Sequence, residues 1–430
     1  MSFVKQAMFM AFRDLLGKAE LISQETSVQH GIFDSSVSHN HGLLLFENII
    51  EAPGHRVATN LLTRPRLCDA LQIKPEEFID LLGWAMKNPS VPEIVSTGPV
   101  LENVKDVVEL SKIPIPHHWR EDRGRYMSSS VIIAEYNGIR NMSFHRQLLH
   151  DDNHLVARIV PRHLHGFIQE ARSNNEEVNV AIINAPDPVV LLAAAMSFDS
   201  NIDELTIAST LHQKVHSRPL ELVTLPNGIQ VPSETEYAMW GRILTSDAEE
   251  GPYVDITGTV DDVRMQPIIE IDGLTHRNNP IFHALIPAEA EHKTLMGLPR
   301  APTIKSAVSE VCECLDVHMT EGGGGWLSAV VKIKVNNEGD GMRAIEAALN
   351  GHKSMKMVTI VDEDIDITNP VRVEWAMMTR WQPDKDSIIL SNQKGSSLDP
   401  SRLDDGNTSK IGIDATIPWG YERSGFQSVQ

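Results

Sequence analysis

Hydrophobic spacing predicts both helices and strands in the first quarter of the chain. The clearest helix begins at Pro75, a residue suited to the first helical position, and places Phe78, Leu81 and Leu82 on one face. A helix with one apolar face needs a packed core to cover it. We therefore predict a mixed α/β unit over residues 1–95.

The central part of the chain carries the turn signals of antiparallel strands. Asn137–Gly138, Asn227–Gly228 and Asp272–Gly273 each separate two strand-like runs. These dipeptides favour the left-handed backbone of tight hairpin turns. Three such turns predict an antiparallel, barrel-like β domain over residues 96–305. Helical inserts are predicted at three places, around residue 167, from Pro188 and from Ser233.

The last third returns to alternation of strands and helices, and we assign residues 306–430 to a C-terminal α/β domain. Residues 329–335 alternate apolar side chains with lysines, which predicts a strand with one face in water. Residues 339–351 have helical spacing, and 357–361 form an apolar strand. From Gln393 onward the chain is rich in Ser, Asp, Gly and Pro, which predicts an extension that becomes ordered when it docks.

Composition and charge narrow the function classes. The chain has 430 residues, of which 41% are hydrophobic, and a net charge of -20, so nucleic acid and anionic membranes are poor partners. The apolar run 7–12 stops at Arg13 and predicts an amphipathic helix, not a signal peptide. No run is long enough to span a bilayer. Cys68, Cys312 and Cys314 cannot form a disulfide framework, so we expect a reducing, cytoplasmic location.

A polar strand at residues 141–147 is the first candidate for chemistry. Because it follows the Asn137–Gly138 turn, Asn141, Ser143 and His145 should face one way and Arg146 the other. Two interpretations remain open. The strand is either an exposed sheet edge or the wall of a site that supplies an amide, an imidazole and a guanidinium.

Histidines are concentrated after this strand. His163 and His165 lie two positions apart on a predicted helix, so they face different sides and are poorly placed to chelate one ion. Surface histidines are the simpler interpretation, although His145, His150 and His154 lie nearby and neutral imidazole is a common metal ligand.

Acidic residues supply two further candidates. Ser233 and Glu236 fit a capping box, which accounts for Glu236 without any function. Glu250 and Asp255 flank a Gly-Pro turn, and neighbouring carboxylates can be held in different protonation states for acid catalysis. They are otherwise plain turn acids, and an inward carboxylate there would need a partner such as Arg146.

Two patterns carry no site. Residues 361–367 resemble a calcium loop but lack its Gly and final Glu, so we expect a solvated turn. The glycine run 322–325 is not followed by the Lys of a phosphate-binding loop.

Taken in order, these segments resemble the UbiD family of reversible decarboxylases, which use prenylated flavin mononucleotide (FMN). The resemblance runs from about residue 42 to residue 416. Its specific motifs are NMSFHR at 141–146, RHLH at 162–165, VPSETEYAMWG at 231–241, EEGPYVDITG at 249–258, THRNNPIF at 275–282, HKTLMGLPR at 292–300, VDEDIDI at 361–367, GSSLDP at 395–400 and SKIGIDAT at 409–416.

The resemblance implies an α/β (α+β) fold with an N-terminal α/β unit, a central split β-barrel that binds flavin and a C-terminal oligomerisation domain. It implies that a divalent ion, Mn²⁺ or Mg²⁺, is held against the flavin phosphate by Asn141, His163 and Glu236. Ser143 and Arg162 would join these three residues around the cofactor. A potassium ion is implied nearby, and the loop 225–228 is where we would look for it.

The resemblance also implies the chemistry. Arg146, Glu250 and Asp255 match the catalytic residues, with Arg146 orienting a substrate carboxylate by a bidentate contact and Glu250 donating a proton after CO₂ leaves. The substrate would be an α,β-unsaturated or (hetero)aromatic acid. The segment that contains His276, Arg277 and His283 either lines the substrate pocket or is a surface turn.

Partners and rival functions follow from the same comparison. A flavin prenyltransferase would supply the cofactor, and family habit implies a homodimer or a larger homo-oligomer such as a hexamer. One rival is a non-catalytic flavin-binding or assembly subunit of a multi-subunit carboxylase. The other is a metal-dependent hydrolase built on the histidine-rich segment, which leaves the ordered motifs unexplained.

Overall fold

The computed structural model describes residues 11–105, 107–196 and 202–426. Its contacts divide the chain into two compact units. The first comprises residues 1–73, 85–255 and 260–292, and the second comprises residues 74–84, 256–259 and 293–430. The three-domain division stays a prediction. Within the described ranges, every helix is too short or too polar to cross a membrane.

Ten helices occur in the described residues, and several lie where sequence spacing predicts them. In chain order they are α1 Gly31–Ser38, α2 Arg64–Leu71, α3 Phe78–Lys87, α4 His163–Ser173, α5 Pro188–Ala195, α6 Glu204–His216, α7 Ala290–Gly297, α8 Ala301–Ser309, α9 Asp340–Gly351 and α10 Pro370–Arg380. The predicted helices at Pro75, residue 167 and Pro188 are confirmed as α3 with the short turn before it, α4 and α5. The predicted N-terminal helix falls mostly outside the described residues.

The strands are short except for two. In chain order they are β1 Glu20–Ile22, β2 Leu44–Phe46, β3 Arg56–Thr59, β4 Glu93–Ile94, β5 Asn103–Lys105, β6 Tyr126–Met127, β7 Val131–Tyr136, β8 Ile139–Phe144, β9 Gln147–Leu149, β10 His154–Ala157, β11 Val178–Asn184, β12 Glu221–Thr224, β13 Gln230–Pro232, β14 Tyr237–Glu250, β15 Tyr253–Val254, β16 Val260–Asp261, β17 Arg264–His276, β18 Ile281–His283, β19 Glu313–Met319, β20 Ser328–Lys334, β21 Met357–Asp362, β22 Ser387–Lys394 and β23 Asn407–Ala415.

An antiparallel sheet dominates the first unit. Its strand order is β6-β9-β10-β17-β14-β11-β7-β8, and β5 pairs with β17. The Asn137–Gly138 turn joins β7 to β8, and both of its residues have the positive φ that a tight hairpin needs. Asn227–Gly228 likewise turns between β12 and β13. The predicted β-rich centre is therefore confirmed at these two turns.

The third dipeptide, Asp272–Gly273, is not a hairpin turn. It lies inside β17, where Trp240 pairs with Gly273 and Gly241 pairs with Ile271, so Asp272 is the extra residue of a β-bulge. A Cβ on Gly273 would lie 2.1 Å from the Trp240 ring. Glycine is required there by close packing, which a pattern of turn residues does not distinguish from a hairpin.

The predicted helix at Ser233 is also wrong. Residues 233–236 form a turn that leads into β14. The backbone of Ser233 is bonded on both sides, donating to the Glu221 carbonyl and accepting from the Val100 N–H. These tertiary hydrogen bonds replace the local ones that a capping box would make.

The second unit contains a five-stranded sheet of order β19-β20-β21-β23-β22. Strand β20, helix α9 and strand β21 form the predicted strand–helix–strand unit, and β20 pairs with β21 in parallel. Part of the predicted extension is an ordered strand of this sheet, because β23 pairs with both β21 and β22. Apolar and polar side chains alternate only weakly along β23, so the sequence pattern does not predict this strand.

Residues 361–367 are not a solvated turn. Asp362 is buried and accepts hydrogen bonds from Arg380 at 3.1 Å, Arg423 at 3.2 Å and the backbone N–H of Ile417 at 2.6 Å. Arg380 is buried too. The acidic run is therefore part of a buried ion-pair network, in which paired charges offset the cost of losing water.

Replacing Gly273 tests the close packing against Trp240. Because a Cβ at Gly273 overlaps the indole, we expect Gly273→Ala to lower the free energy of unfolding by about 1–3 kcal/mol in urea titration. Gly166→Ala is the matched control, since Gly166 lies in α4 with open space around it and alanine should stabilise that helix slightly. A Gly273→Ala protein as stable as the wild type would contradict the packing.

Candidate active site

Arg146 lies between β8 and β9 at the centre of a buried charge cluster. Its side chain is 7% exposed, and Glu250, which ends β14, is fully buried. Nε and Nη2 of Arg146 donate to the two oxygens of Glu250 at 2.8 and 3.0 Å, and Nη1 donates to Asp255 at 2.5 Å. The structure thus brings together the three residues named as catalytic, although their roles stay a prediction.

A third acid, Asp261, belongs to the same cluster and was missed from sequence. It accepts from Arg146 Nη2 at 2.8 Å and from Arg264 at 2.6 Å. Burial acts to raise the pKa of Asp261, but the hydrogen bond from Arg264 and the charge of Arg146 outweigh it and hold the pKa below its ordinary value. In sequence, Asp261 is indistinguishable from a solvated turn acid.

Two tyrosines enclose the cluster. The Tyr126 hydroxyl donates to Glu250 at 3.1 Å and accepts from the N–H of Gly251, while the Tyr253 ring lies 4.5 Å from the Arg146 guanidinium. Burial and the charge of Glu250 raise the pKa of Tyr126. The phenol therefore stays protonated and acts as a fixed hydrogen-bond donor to one oxygen of Glu250.

Asp122 is a further buried acid near this cluster. It accepts from the N–H groups of Val254 at 2.8 Å and Trp119 at 3.2 Å. Burial raises the pKa of Asp122 to about 6, although these two hydrogen bonds and the charge of Arg146 oppose the shift. Its carboxyl group therefore changes charge within the physiological range.

Asn141 lies on β8 beside an acid that sequence analysis overlooked. Its amide donates to Glu204 at 3.0 Å, the N–H of Met142 donates to the other Glu204 oxygen at 2.8 Å, and Ser143 donates to the Asn141 carbonyl oxygen at 3.0 Å. Burial raises the pKa of Glu204 to about 7, against the opposing hydrogen bond from Met142. A carboxylate so poorly solvated is stabilised by a cation.

Glu236 does not share these contacts. It is fully buried at the entry to β14, where both its oxygens accept from Arg13 at 2.7 Å and one accepts from the N–H of Ile281 at 3.1 Å. Among the described contacts, the acid next to Asn141 is Glu204 and not the predicted Glu236. Glu204 was missed because an acid in the first turn of a helix is ordinary, and no local pattern marks it.

The histidine-rich segment does not converge on one point. His145 is bonded to Ser143 at 2.9 Å and to the carbonyl of Arg158 at 3.0 Å, whereas His154 pairs with Asp151 at 2.9 Å. His163 begins α4 with Arg162 as the residue before it, and His165 follows two positions later on a different side of the helix. These contacts give the rival hydrolase no shared metal site in this segment. The potassium loop at 225–228 stays a prediction.

The three predicted substrate-pocket residues have separate surroundings. His283 is fully buried and pairs with Glu291 at 2.9 Å, which excludes a surface turn for this residue. His276 packs edge-on against His55 with ring centroids 5.2 Å apart, and Arg277 pairs with Glu234 at 3.0 Å. In the described contacts, their side chains do not form one cluster.

The arrangement around Arg146 suits chemistry on a carboxylic acid. A guanidinium binds carboxylates, a buried glutamic acid can transfer a proton, and a water-poor surrounding strengthens both interactions. Models of the two parts of one family match most of the chain. The 3-octaprenyl-4-hydroxybenzoate carboxy-lyase Rift-related domain matches residues 93–290, and the C-terminal domain of the same carboxy-lyase matches residues 293–415.

The chain belongs to the UbiD family of carboxy-lyases. It is 38% identical to the anhydromevalonate phosphate decarboxylase of Methanothermobacter thermautotrophicus over 95% of this chain and 96% of that protein. It is similar to the UbiD-class enzyme HmfF from Pelotomaculum thermopropionicum in complex with FMN, with 32% identity, a TM-score of 0.92 and 97% of both chains covered. An evolved dimeric form of HmfF in complex with prenylated FMN (prFMN) gives 32% identity and a TM-score of 0.88, with 96% of both chains covered.

The predicted UbiD-type α/β fold is confirmed by these matches. Residues that meet at the site come from motifs that lie far apart along the chain. Arg146 is 104 residues from Glu250, and Asn141 is 63 residues from Glu204, so only the folded chain brings each pair together.

The raised pKa of Asp122 leads to a pH-dependent difference in stability. Because the pKa lies above that of an unfolded aspartate, its contribution is present at low pH and is lost as the pH rises through about 6. We expect the free energy of unfolding of the wild type, relative to Asp122→Asn, to fall by about 1–3 kcal/mol between pH 4 and pH 7 in urea titrations. A difference that does not change with pH would contradict the assignment.

Proposed function

We propose that this protein catalyses the reversible, non-oxidative decarboxylation of an α,β-unsaturated carboxylic acid with prenylated FMN. The observation that carries the proposal is the buried bonding of Arg146 to Glu250 and Asp255. An arginine between two acids can hold a carboxylate substrate and keep a proton donor in place. The FMN and prFMN complexes of similar enzymes support the cofactor.

We infer that the substrate is an aliphatic acid that also bears a phosphate. Anhydromevalonate phosphate decarboxylases from three archaea are 38–40% identical to this chain over 89–95% of its length. These relatives favour anhydromevalonate phosphate, or a close analogue, over the aromatic acids that sequence analysis left open. A phosphate and a carboxylate on one small molecule need local positive charge, which the net charge of -20 does not exclude.

The residues around Asn141 fit a divalent ion. If the Asn141 amide is turned so that its oxygen replaces its NH2 beside Glu204, that oxygen and the buried carboxylate are hard ligands of the kind that Mn²⁺ and Mg²⁺ prefer. His163 would add a nitrogen ligand. We therefore assign the ion to Asn141, Glu204 and His163, with Glu204 in the place first given to Glu236. The charge of the ion would balance a flavin phosphate.

We infer that the flavin binds near Arg146, because the next residue has a hydrogen-bond acceptor that the described residues leave unsatisfied. The side-chain oxygen of Gln147 is buried and has no hydrogen-bond partner among the described residues, so it is an acceptor that a bound ring can satisfy. Bound prenylated FMN supplies the electron sink for the pair of electrons released when the bond to CO₂ breaks. A flavin prenyltransferase in the same cell is the expected source of the cofactor.

Arg146 has little capacity left for substrate. A guanidinium has five N–H groups, and four hydrogen bonds to Glu250, Asp255 and Asp261 leave one of them. A substrate carboxylate can thus accept one bond from Arg146 directly. The bidentate contact predicted from sequence requires one of the acids to release its hydrogen bond, and Asp261 keeps Arg264 as a partner when it does.

Glu250 is the residue we assign to proton transfer. After the bond to the carboxyl carbon breaks, the product carbon needs one proton in place of CO₂. The side chain of Glu250 accepts from Arg146 at both oxygens and from Tyr126 at one of them, so its position is fixed. It must take up a proton from solvent before it can deliver one to the product carbon. In the carboxylation direction the same group removes that proton, as microscopic reversibility requires.

Replacing Glu250 tests the proton-transfer role. Because glutamine keeps the shape but cannot donate the proton as an acid, we expect Glu250→Gln to lower kcat for decarboxylation of anhydromevalonate phosphate at least ~100-fold. Flavin content, measured from absorbance and mass spectrometry after co-expression with a flavin prenyltransferase, should be unchanged. Glu249→Gln is the matched control, since Glu249 is exposed and pairs with Arg123.

Two outcomes would contradict this assignment. Full turnover by Glu250→Gln would remove Glu250 from the reaction. A wild-type protein that carries prenylated FMN and turns over neither anhydromevalonate phosphate nor other unsaturated acids would support the alternative, a non-catalytic flavin-binding subunit.

A second pair of variants tests which glutamate holds the ion. We expect Glu204→Gln to lose most bound Mn²⁺, measured by electron paramagnetic resonance, because a neutral amide replaces the carboxylate next to Asn141. Glu236→Gln should retain the ion, since Glu236 is engaged by Arg13. The reverse pattern, with Mn²⁺ lost only in Glu236→Gln, would restore the assignment made from sequence.

A further inference from the structure

A second group of metal-ligand side chains lies in the first unit, apart from the residues assigned to the reaction. Asp187 precedes α5, and His212 and His216 lie four positions apart on α6. One potential ligand atom from each of the three lies within 4.8 Å of the others. All three side chains are buried. Histidines at positions i and i+4 of a helix share one face, so both can reach the same ion.

Hydrogen bonds already orient two of these ligands. His212 Nδ1 lies 2.9 Å from the carbonyl oxygen of Arg218, which can only accept, so Nδ1 carries the proton and Nε2 has a free lone pair. One oxygen of Asp187 caps α5 by accepting from the N–H of Val189 at 2.8 Å. Such secondary contacts are what fix ligating histidines and carboxylates at metal sites.

One distance between ligand atoms in the group is close to that found around a bound ion. His216 Nε2 lies 3.1 Å from the second oxygen of Asp187. Ligand atoms about 2.0–2.1 Å from a tetrahedral ion lie roughly 3.3 Å apart, so the distance between His216 and Asp187 already matches that of two ligands on one ion. A hydrogen bond between His216 and Asp187 explains that pair alone. It does not explain why a ligand atom of His212 also lies within 4.8 Å of both.

A cavity of about 260 Å³ adjoins the group. Asp187, His212 and His216 line it together with Arg13 and Arg277, among others. A site with three protein ligands keeps a fourth coordination position for water or an anion. The cavity provides the room for that fourth ligand. Arg13 and Arg277 are already paired with Glu236 and Glu234, so water suits the position as well as an anion does.

We propose that Asp187, His212 and His216 bind a zinc-class divalent cation whose open coordination position faces this cavity. Two imidazole nitrogens and one carboxylate oxygen suit Zn²⁺ or Co²⁺, whereas the oxygen-rich set at Asn141 and Glu204 suits Mn²⁺ or Mg²⁺. The proposal is independent of the decarboxylase reaction, because it assigns no step of that reaction to these residues.

Cobalt(II) titration is the direct test. Chelator-treated protein that carries Asn141→Ala, which weakens the other ion site, is titrated with CoCl₂ alone. We expect one Co²⁺ per chain with the intense visible absorption of a four-coordinate site that contains nitrogen ligands. His212→Gln and Asp187→Asn in the same background should weaken Co²⁺ binding by at least ~10–100-fold. His150→Gln, a change at an exposed histidine, is the matched control.

A stability measurement separates loss of the site from loss of the fold. ZnCl₂ should raise the Tm of the His150→Gln protein and leave the Tm of folded His212→Gln and Asp187→Asn unchanged, because binding to the native state stabilises it. Near-ultraviolet circular dichroism establishes that each variant is folded. Absence of the cobalt absorption, or its persistence in both ligand variants, would overturn the proposal.

Discussion

The first unit depends on one buried guanidinium. Arg146 is 7% exposed, and a cation with so little water must be paired, because an uncompensated buried charge costs several kcal/mol. Its three acidic partners come from the end of β14 and from the hairpin formed by β15 and β16. The ion pairs therefore tie β8, β14 and that hairpin to one point.

The same constraint explains the division of labour among the acids. Glu250 uses both oxygens on Arg146 and is fully buried, whereas Asp261 also has Arg264 as a partner. Asp255 is the most exposed of the three, at 17%. Acids that share one cation in different surroundings differ in the free energy needed to break their hydrogen bonds to it. A substrate carboxylate can therefore displace one acid from Arg146 while the others stay bound.

Sequence reasoning predicted most elements whose signal is local. The Asn137–Gly138 hairpin, α4, α5 and the strand–helix–strand unit around α9 follow from turn chemistry and apolar spacing alone. It failed where tertiary contacts decide. Gly273 is required by a tryptophan from the next strand, which no spacing reveals.

At the candidate active site, sequence-based prediction likewise failed where tertiary contacts decide. Ordered motifs identified Arg146, Glu250 and Asp255, because short segments of a family keep their order. Glu204 and Asp261 could not be found, since each is an ordinary acid in an acidic chain until the fold buries it beside Asn141 or Arg146. The net charge was equally uninformative, because it sums every charged residue of the chain and does not say where in the fold each one lies.

The pairing of Arg13 with Glu236 affects the stability of the protein to truncation near Arg13. The two residues are 223 positions apart, and Glu236 is fully buried, so a segment near the start supplies the countercharge for an acid deep in the sheet unit. Proteolysis just after Arg13 would leave that carboxylate without its cation. Arg13 is therefore a structural part of the first unit, and a protein that lacks it would need acid, or a new cation, to bury Glu236.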